Sequence, residues 1–182
     1  MVGAVEIRPE RPEEYARVEQ IHTLAFGGPR EARVVALVRQ SPFYRPELSL
    51  VAVVEGEPVG HILFSEVGLQ DETGIMRKGV VLAPLAVHPA FQNLGAGKHL
   101  VEAGLARLEA LGAPLVLVRG HAHYYPRFGF VPSEQLGIRP PFAVAPEEYM
   151  AKPLSAYTPA YRGIVRYPAA FAEVGYPVEY GL

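Results

Sequence analysis

Cysteine is absent from the 182 residues, which excludes disulfides, thiolate metal sites and a cysteine nucleophile. Asparagine occurs once, at Asn93, and the basic residues are nearly all arginine. Heat resistance and GC-rich codon usage both produce that bias, and the two readings stand side by side. Neither sign of charge prevails: the formal net charge is −2, so no nucleic-acid or membrane surface is built on bulk charge. No stretch approaches the roughly 18 consecutive apolar residues of a membrane span. The segment Met1 to Glu6 has no basic residues followed by a signal-type apolar run, so a cytoplasmic location is expected. Internal repeats and low-complexity linkers are also missing.

What remains is a balanced globular composition, with 49% hydrophobic and 20% charged residues. That is enough chain for one sizeable core. A single domain over 1–182 is expected, with its core at 5–131 and C-terminal strands and tail at 139–182. The stretch Val80 to Leu111 organises it. Val80 to Val87 is apolar in nearly every position, as in a central strand covered on both faces. His88-Pro89 turns the chain into the loop Gln92-Asn93-Leu94-Gly95-Ala96-Gly97-Lys98, and a helix follows to near Gly112. Leu100, Val101, Leu105, Leu108 and Leu111 form its core-facing stripe. Gly95 and Gly97 let backbone approach a ligand closely. The helix start points unpaired N–H groups at whatever lies before it, which suits a phosphate or pyrophosphate.

The flanking segments read in order. Val5 to Arg8 is a short strand, Pro12 to Ala25 a helix with Tyr15, Val18, Ile21 and Ala25 on one stripe, and Arg30 to Arg39 a second helix closed by Ser41-Pro42. Leu48 to Glu55 and Val59 to Leu69 make a hairpin about Glu55-Gly56-Glu57-Pro58. After the organising stretch come the strand Leu115 to Arg119 and a short helical turn ending at Gly129. A strand, a crossover helix and a second strand imply a parallel pair. Glu148 to Leu154 and Gly163 to Tyr167 are further strands, and Pro168 to Val174 a short helix.

Two familiar glycine loops fail on inspection. A Walker A loop needs glycine where Gln92 stands and Ser or Thr where His99 stands; the dinucleotide fingerprint needs glycine at Leu100 and an acid near Arg119. What survives is Gln92-x-x-Gly95-x-Gly97 after a buried strand, and Tyr125-Pro-Arg-Phe-Gly129-Phe130 one helix and one strand later. Together, in this order, the two motifs resemble the GNAT superfamily of acyl-CoA-dependent N-acetyltransferases. The resemblance runs over Val5 to Val131 in element order and is strongest from Leu82 to Phe130. Within it, the run APLAVHPAFQNLGAG followed by HYYPRFGF is similar to the YhbS-like branch.

The resemblance implies an α/β (α+β) fold: a mixed, mostly antiparallel sheet with a splayed parallel central pair and helices on both faces. It implies acetyl-CoA as acyl donor, its pyrophosphate on the backbone of Gln92, Asn93, Leu94, Gly95, Ala96, Gly97 and Lys98, with Lys98 adding a cation. The pantetheine arm would pair with Leu85, Ala86 and Val87, where Pro84, lacking an N–H, marks a bulge or break in the strand. An N–H near Leu85 would meet the oxyanion. Tyr125 matches the family's tyrosine that returns a proton to the departing thiolate; its other reading is a packing tyrosine beside Tyr124, Phe128 and Phe130.

The base is left unassigned among Glu66, which reads first as a solvated edge carboxylate, His121 and His123, which share a face in extended backbone, and water. No third ligand accompanies that His pair, so no metal is expected. His22, His61 and His99 read as structural, and His88 as shaping its turn. The tail tyrosines Tyr149, Tyr157, Tyr161, Tyr167, Tyr176 and Tyr180 fit packing, a substrate pocket or a homodimer contact. The acceptor expected is a small-molecule amine or a peptide N-terminus. The alternative is a non-catalytic acyl-CoA binding or sensing module on the same scaffold.

Overall fold

The computed structural model describes residues 3–176, so Tyr180 lies outside the described residues. The chain forms two compact units, each drawn from two stretches. The first comprises the residues up to Phe64 with Ala83–Arg107, and the second Ser65–Leu82 with the residues from Leu108 onward. Two long strands run through both.

The first unit begins with β1 (Glu6–Pro9), then α1 (Tyr15–Phe26) and α2 (Arg30–Arg39). Strand β2 (Ser49–Val54) pairs antiparallel with β1 and with the opening part of β3 (Glu57–Gln70). The connecting hairpin needs left-handed backbone at Glu55 and Gly56, with φ of 51° and 85°. The last part of β4 (Met76–Val87) and most of α3 (Ala96–Ala110) complete the unit.

Alternation along β3 puts α1 and α3 on opposite faces of it. Gly60 and Phe64 meet α3: a Cβ on Gly60 would stand 3.1 Å from Leu100, and the Phe64 ring fills the space over Gly104. His61 points the other way, its Nδ1 2.8 Å from Nε2 of His22 on α1. Leu100, Val101, Leu105 and Leu108 are buried as the stripe requires. Leu111 is not: the helix ends at Ala110, and the leucine beyond it is 58% exposed.

A polar chain crosses the core of this unit. Glu10, its side chain without exposed surface, accepts from Arg39 Nε at 2.9 Å, Tyr44 at 3.1 Å and Ser49 Oγ at 2.6 Å. Ser49 spends its proton on that carboxylate, so at 2.9 Å it must accept from Nε2–H of His61. The Nδ1 of His61 is then bare and accepts from His22 Nε2–H, leaving Nδ1 of His22 buried without a partner. One carboxylate thus sets both tautomers. Burial pushes the pKa of both imidazoles down, that of His61 to about 3, and the Arg39 charge adds to the shift.

The second unit holds the end of β3, the start of β4, β5 (Leu115–Arg119), β6 (Val131–Pro132), β7 (Ile138–Arg139), β8 (Tyr149–Pro153), β9 (Gly163–Arg166) and α4 (Ala169–Glu173). Strand β4 pairs parallel with β5, β5 antiparallel with β8, and β8 antiparallel with β6; β9 pairs antiparallel with β3 and parallel with β7. The expected mixed sheet with its parallel pair is therefore present, and β7–β9 adds a second one. The ladder between β4 and β5 consists of Val80↔Val116 and Val81↔Leu117. That ladder stops short of Pro84, where a bulge or break is expected, while β4 itself continues through a cis Ala83–Pro84 peptide. Tyr149 and Tyr167 are buried with their hydroxyls 2.9 Å apart, and Phe142 and Phe171 pack against Tyr167, so these tail tyrosines are core. Among the described residues, no helix is long and apolar enough to cross a membrane.

Candidate functional site

In the first unit β4 ends on Leu85, Ala86 and Val87; Ala86 is buried, while Leu85 and Val87 are half-buried. His88 N–H donates to Val59 O at 2.8 Å, tying the strand end to β3. Pro89–Phe91 makes one tight turn, with His88 Nδ1 accepting from Ala90 N–H at 3.2 Å, so His88 shapes this turn as expected. Gln92 reaches back: its Nε2 donates to Val87 O at 3.0 Å. Its own N–H donates to Pro89 O at 3.4 Å, so Gln92 braces the loop.

Beyond Gln92 the backbone passes through left-handed conformations at Asn93 (φ 63°) and Gly95 (φ 90°) before α3 begins. Gly95 O accepts from His99 N–H at 3.0 Å and so caps the helix. The N–H groups of Gly95, Ala96, Gly97 and Lys98 precede the first residue with an intrahelical acceptor. Four donors converging at the positive end of a helix form a cradle for an anion. Lys98 is exposed, with Nζ 3.8 Å from Glu102 of the next turn. Leu94 is 47% exposed at the loop's apex.

In the second unit β5 ends at Arg119, and Tyr125–Phe128 forms a 3-10 turn closed by left-handed Gly129. Tyr125 is 7% exposed, wedged edge-on against Tyr124 and Phe130 with centroids 5.1 and 5.6 Å away. Its hydroxyl has no hydrogen-bond partner among the described residues. Burial, and then the neighbouring Tyr124, push its pKa up, so the phenol keeps its proton over the physiological range. Such a group donates a proton and does not start as a base.

The base candidates fare differently. Glu66, with 23% of its side chain exposed, pairs with Lys78 Nζ at 3.1 Å, so it is not merely a solvated edge group. His121 and His123 are exposed, and the shared face expected of them is lost. Tyr124 N–H donates to His121 O at 3.0 Å, which makes this stretch a turn instead of extended backbone. Sequence reading overlooked Gly60, a glycine in mid-strand, which is itself a signal of close approach.

The sequence profile of the Acetyltransferase (GNAT) family matches residues 15–130. The uncharacterized N-acetyltransferase YjhQ of Escherichia coli strain K12 is 41% identical over 137 residues, 74% of this chain and 74% of that protein. Among solved structures, the GNAT family N-acetyltransferase YhbS from Escherichia coli, in complex with CoA, superposes with a TM-score of 0.84 at 27% identity. That match covers 94% of this chain and 93% of the other. A GNAT family acetyltransferase from Brucella melitensis, in complex with acetyl-CoA, superposes with a TM-score of 0.75 at 31% identity, over 92% and 98% of the two chains. On sequence profile and relatives alike, this chain belongs to the GNAT family of N-acetyltransferases.

Proposed function

We propose that the protein, acting as one acyltransferase domain in the cytoplasm, transfers the acetyl group of acetyl-CoA to a primary amine on a small molecule or a peptide N-terminus. The observation that carries this reading is the helix start at Gly95 to Lys98, with two glycines in it and Gln92 bracing the loop before it. In this reading the amides from Asn93 to Lys98 hold the pyrophosphate, and Leu85, Ala86 and Val87 pair with the pantetheine arm. The relatives crystallised with CoA and acetyl-CoA support it.

The chemistry is direct transfer. The neutral amine attacks the thioester carbon, and the N–H of Leu85 receives the oxyanion. Collapse breaks the C–S bond, Tyr125 gives its proton to the thiolate, and the proton lost by the amine passes through water to restore the phenol. A preorganised N–H at the oxyanion is worth about 3 kcal/mol of barrier.

The test is release of free thiol from acetyl-CoA across a panel of spermidine, free amino acids, an aminoglycoside and short peptides. Tyr125→Phe should lower turnover by roughly 10²-fold or more, with CoA affinity by calorimetry unchanged. CoA binding without thiol release on any amine would leave a binding module in place of an enzyme.

A further inference from the structure

Gly120 is a glycine for a reason its backbone does not supply. Its φ is not in the left-handed region, where glycine is otherwise favoured. The reason is the ring of Tyr125. A Cβ built on Gly120 would stand 2.3 Å from Cε2 and 2.9 Å from Cδ2 of Tyr125, far inside van der Waals contact. The phenol ring occupies the space a side chain at 120 would need.

Neither partner can yield cheaply. The Gly120 backbone is pinned, because its N–H donates to Glu148 O at 2.9 Å and Arg119, just before it, is in register with Tyr149 on β8. The ring is pinned by its T-shaped contacts with Tyr124 and Phe130. Tyr124 is held in turn by Arg127, whose Nε donates to its carbonyl at 2.9 Å and whose guanidinium lies 4.7 Å over its ring. A floor of backbone and two aromatic walls thus fix the ring while its hydroxyl is left unpartnered.

The geometry points to Gly120 as the positioning residue of the acid: the missing side chain at 120 sets where the Tyr125 hydroxyl stands. This rests on Tyr125 being the acid. A methyl at 120 forces the ring off its floor and carries the hydroxyl with it, so the proton no longer meets the leaving sulfur. The acetyl donor's grip, built elsewhere from backbone, is untouched.

Two measurements on the full chain test this, one of them independent of the acceptor. Gly120→Ala should lower Tm by roughly 3–9 °C when Tyr125 is present, and by no more than about 1 °C in a Tyr125→Ala background, where the ring has gone. An equal drop in both backgrounds overturns the seat. In the thiol-release assay, Gly120→Ala should lower kcat by roughly tenfold or more, with KM for acetyl-CoA within about twofold. In a Tyr125→Phe background it should cost no further turnover, because the hydroxyl is already absent. Unchanged kcat in Gly120→Ala, or losses that multiply in the double variant, overturn the positioning role. Undiminished turnover in Tyr125→Phe alone removes the acid assignment and the catalytic consequence of Gly120 with it, while the Tm pair still decides whether the seat is real.

Discussion

The two units bury polar groups in opposite ways. The first hides a charge: Glu10 anchors Arg39, Tyr44 and Ser49, and through Ser49 it orders His61 and His22. The second hides neutral phenols: Tyr149 and Tyr167 satisfy each other at 2.9 Å, and Tyr125 keeps its hydroxyl unshared. A charge-anchored chain has a direction, because each donor is committed by the one before it, and it titrates. A phenol pair has neither property, since burial holds Tyr149 and Tyr167 protonated. Between pH 5 and 8 the buried chain of the first unit should therefore answer to pH and to loss of its anchor, and the phenol pair of the second to neither.

The largest effect should come from the anchor. Glu10→Ala leaves the Arg39 guanidinium, 11% exposed, without its carboxylate and removes the acceptor that orients Ser49. The expected cost is about 3–5 kcal/mol in urea unfolding. A loss under about 1 kcal/mol would mean the chain is not charge-anchored. Acid should come next. His22 and His61 are neutral when folded and return to about 6.5 when unfolded, so the unfolded chain binds more protons below that pH. Their contribution to stability is complete well above pH 6.5 and is lost as pH falls through and below it, for His61 down to about pH 3, by roughly 1 kcal/mol per pH unit for each histidine. Unfolding midpoints measured from pH 8 to 5 should show this slope, and His22→Phe should lower it by half.

The phenol pair sharpens the contrast. Tyr149→Phe or Tyr167→Phe alone strands one buried hydroxyl and should cost about 1–3 kcal/mol; the double substitution should cost less than either. Neither change should alter the pH slope. The smallest effect belongs to Lys98→Ala, whose exposed pairing with Glu102 at 3.8 Å is worth a few tenths of a kcal/mol at most. A measurable stability loss there would break the rule that charge matters in this unit only where it is buried.

Local signals carried most of the element order. Proline entry, a Ser41-Pro42 or Gly120 exit and apolar period define α2 and β5 to the residue, because each sits between strong punctuators. Strands β6 and β7, two residues each, went unseen, since two residues have no period. Leu111 fitted the helical stripe by count but lies past the last hydrogen-bonded turn. His121 and His123 failed for a related reason: side-chain alternation holds only where the backbone stays extended, and there it turns.

By itself the sequence determined the family, through two glycine motifs at a fixed separation, and the parallel pair, through a strand, helix and strand in succession. Both are short-range facts, written in backbone freedom and apolar period. Only the tertiary structure decided that Glu10, Arg39, Ser49, His61 and His22 form one chain, and that Gly120 is the floor beneath Tyr125. Those contacts join positions that no local pattern links. Steric exclusion and hydrogen-bond direction act between atoms that only folding brings together.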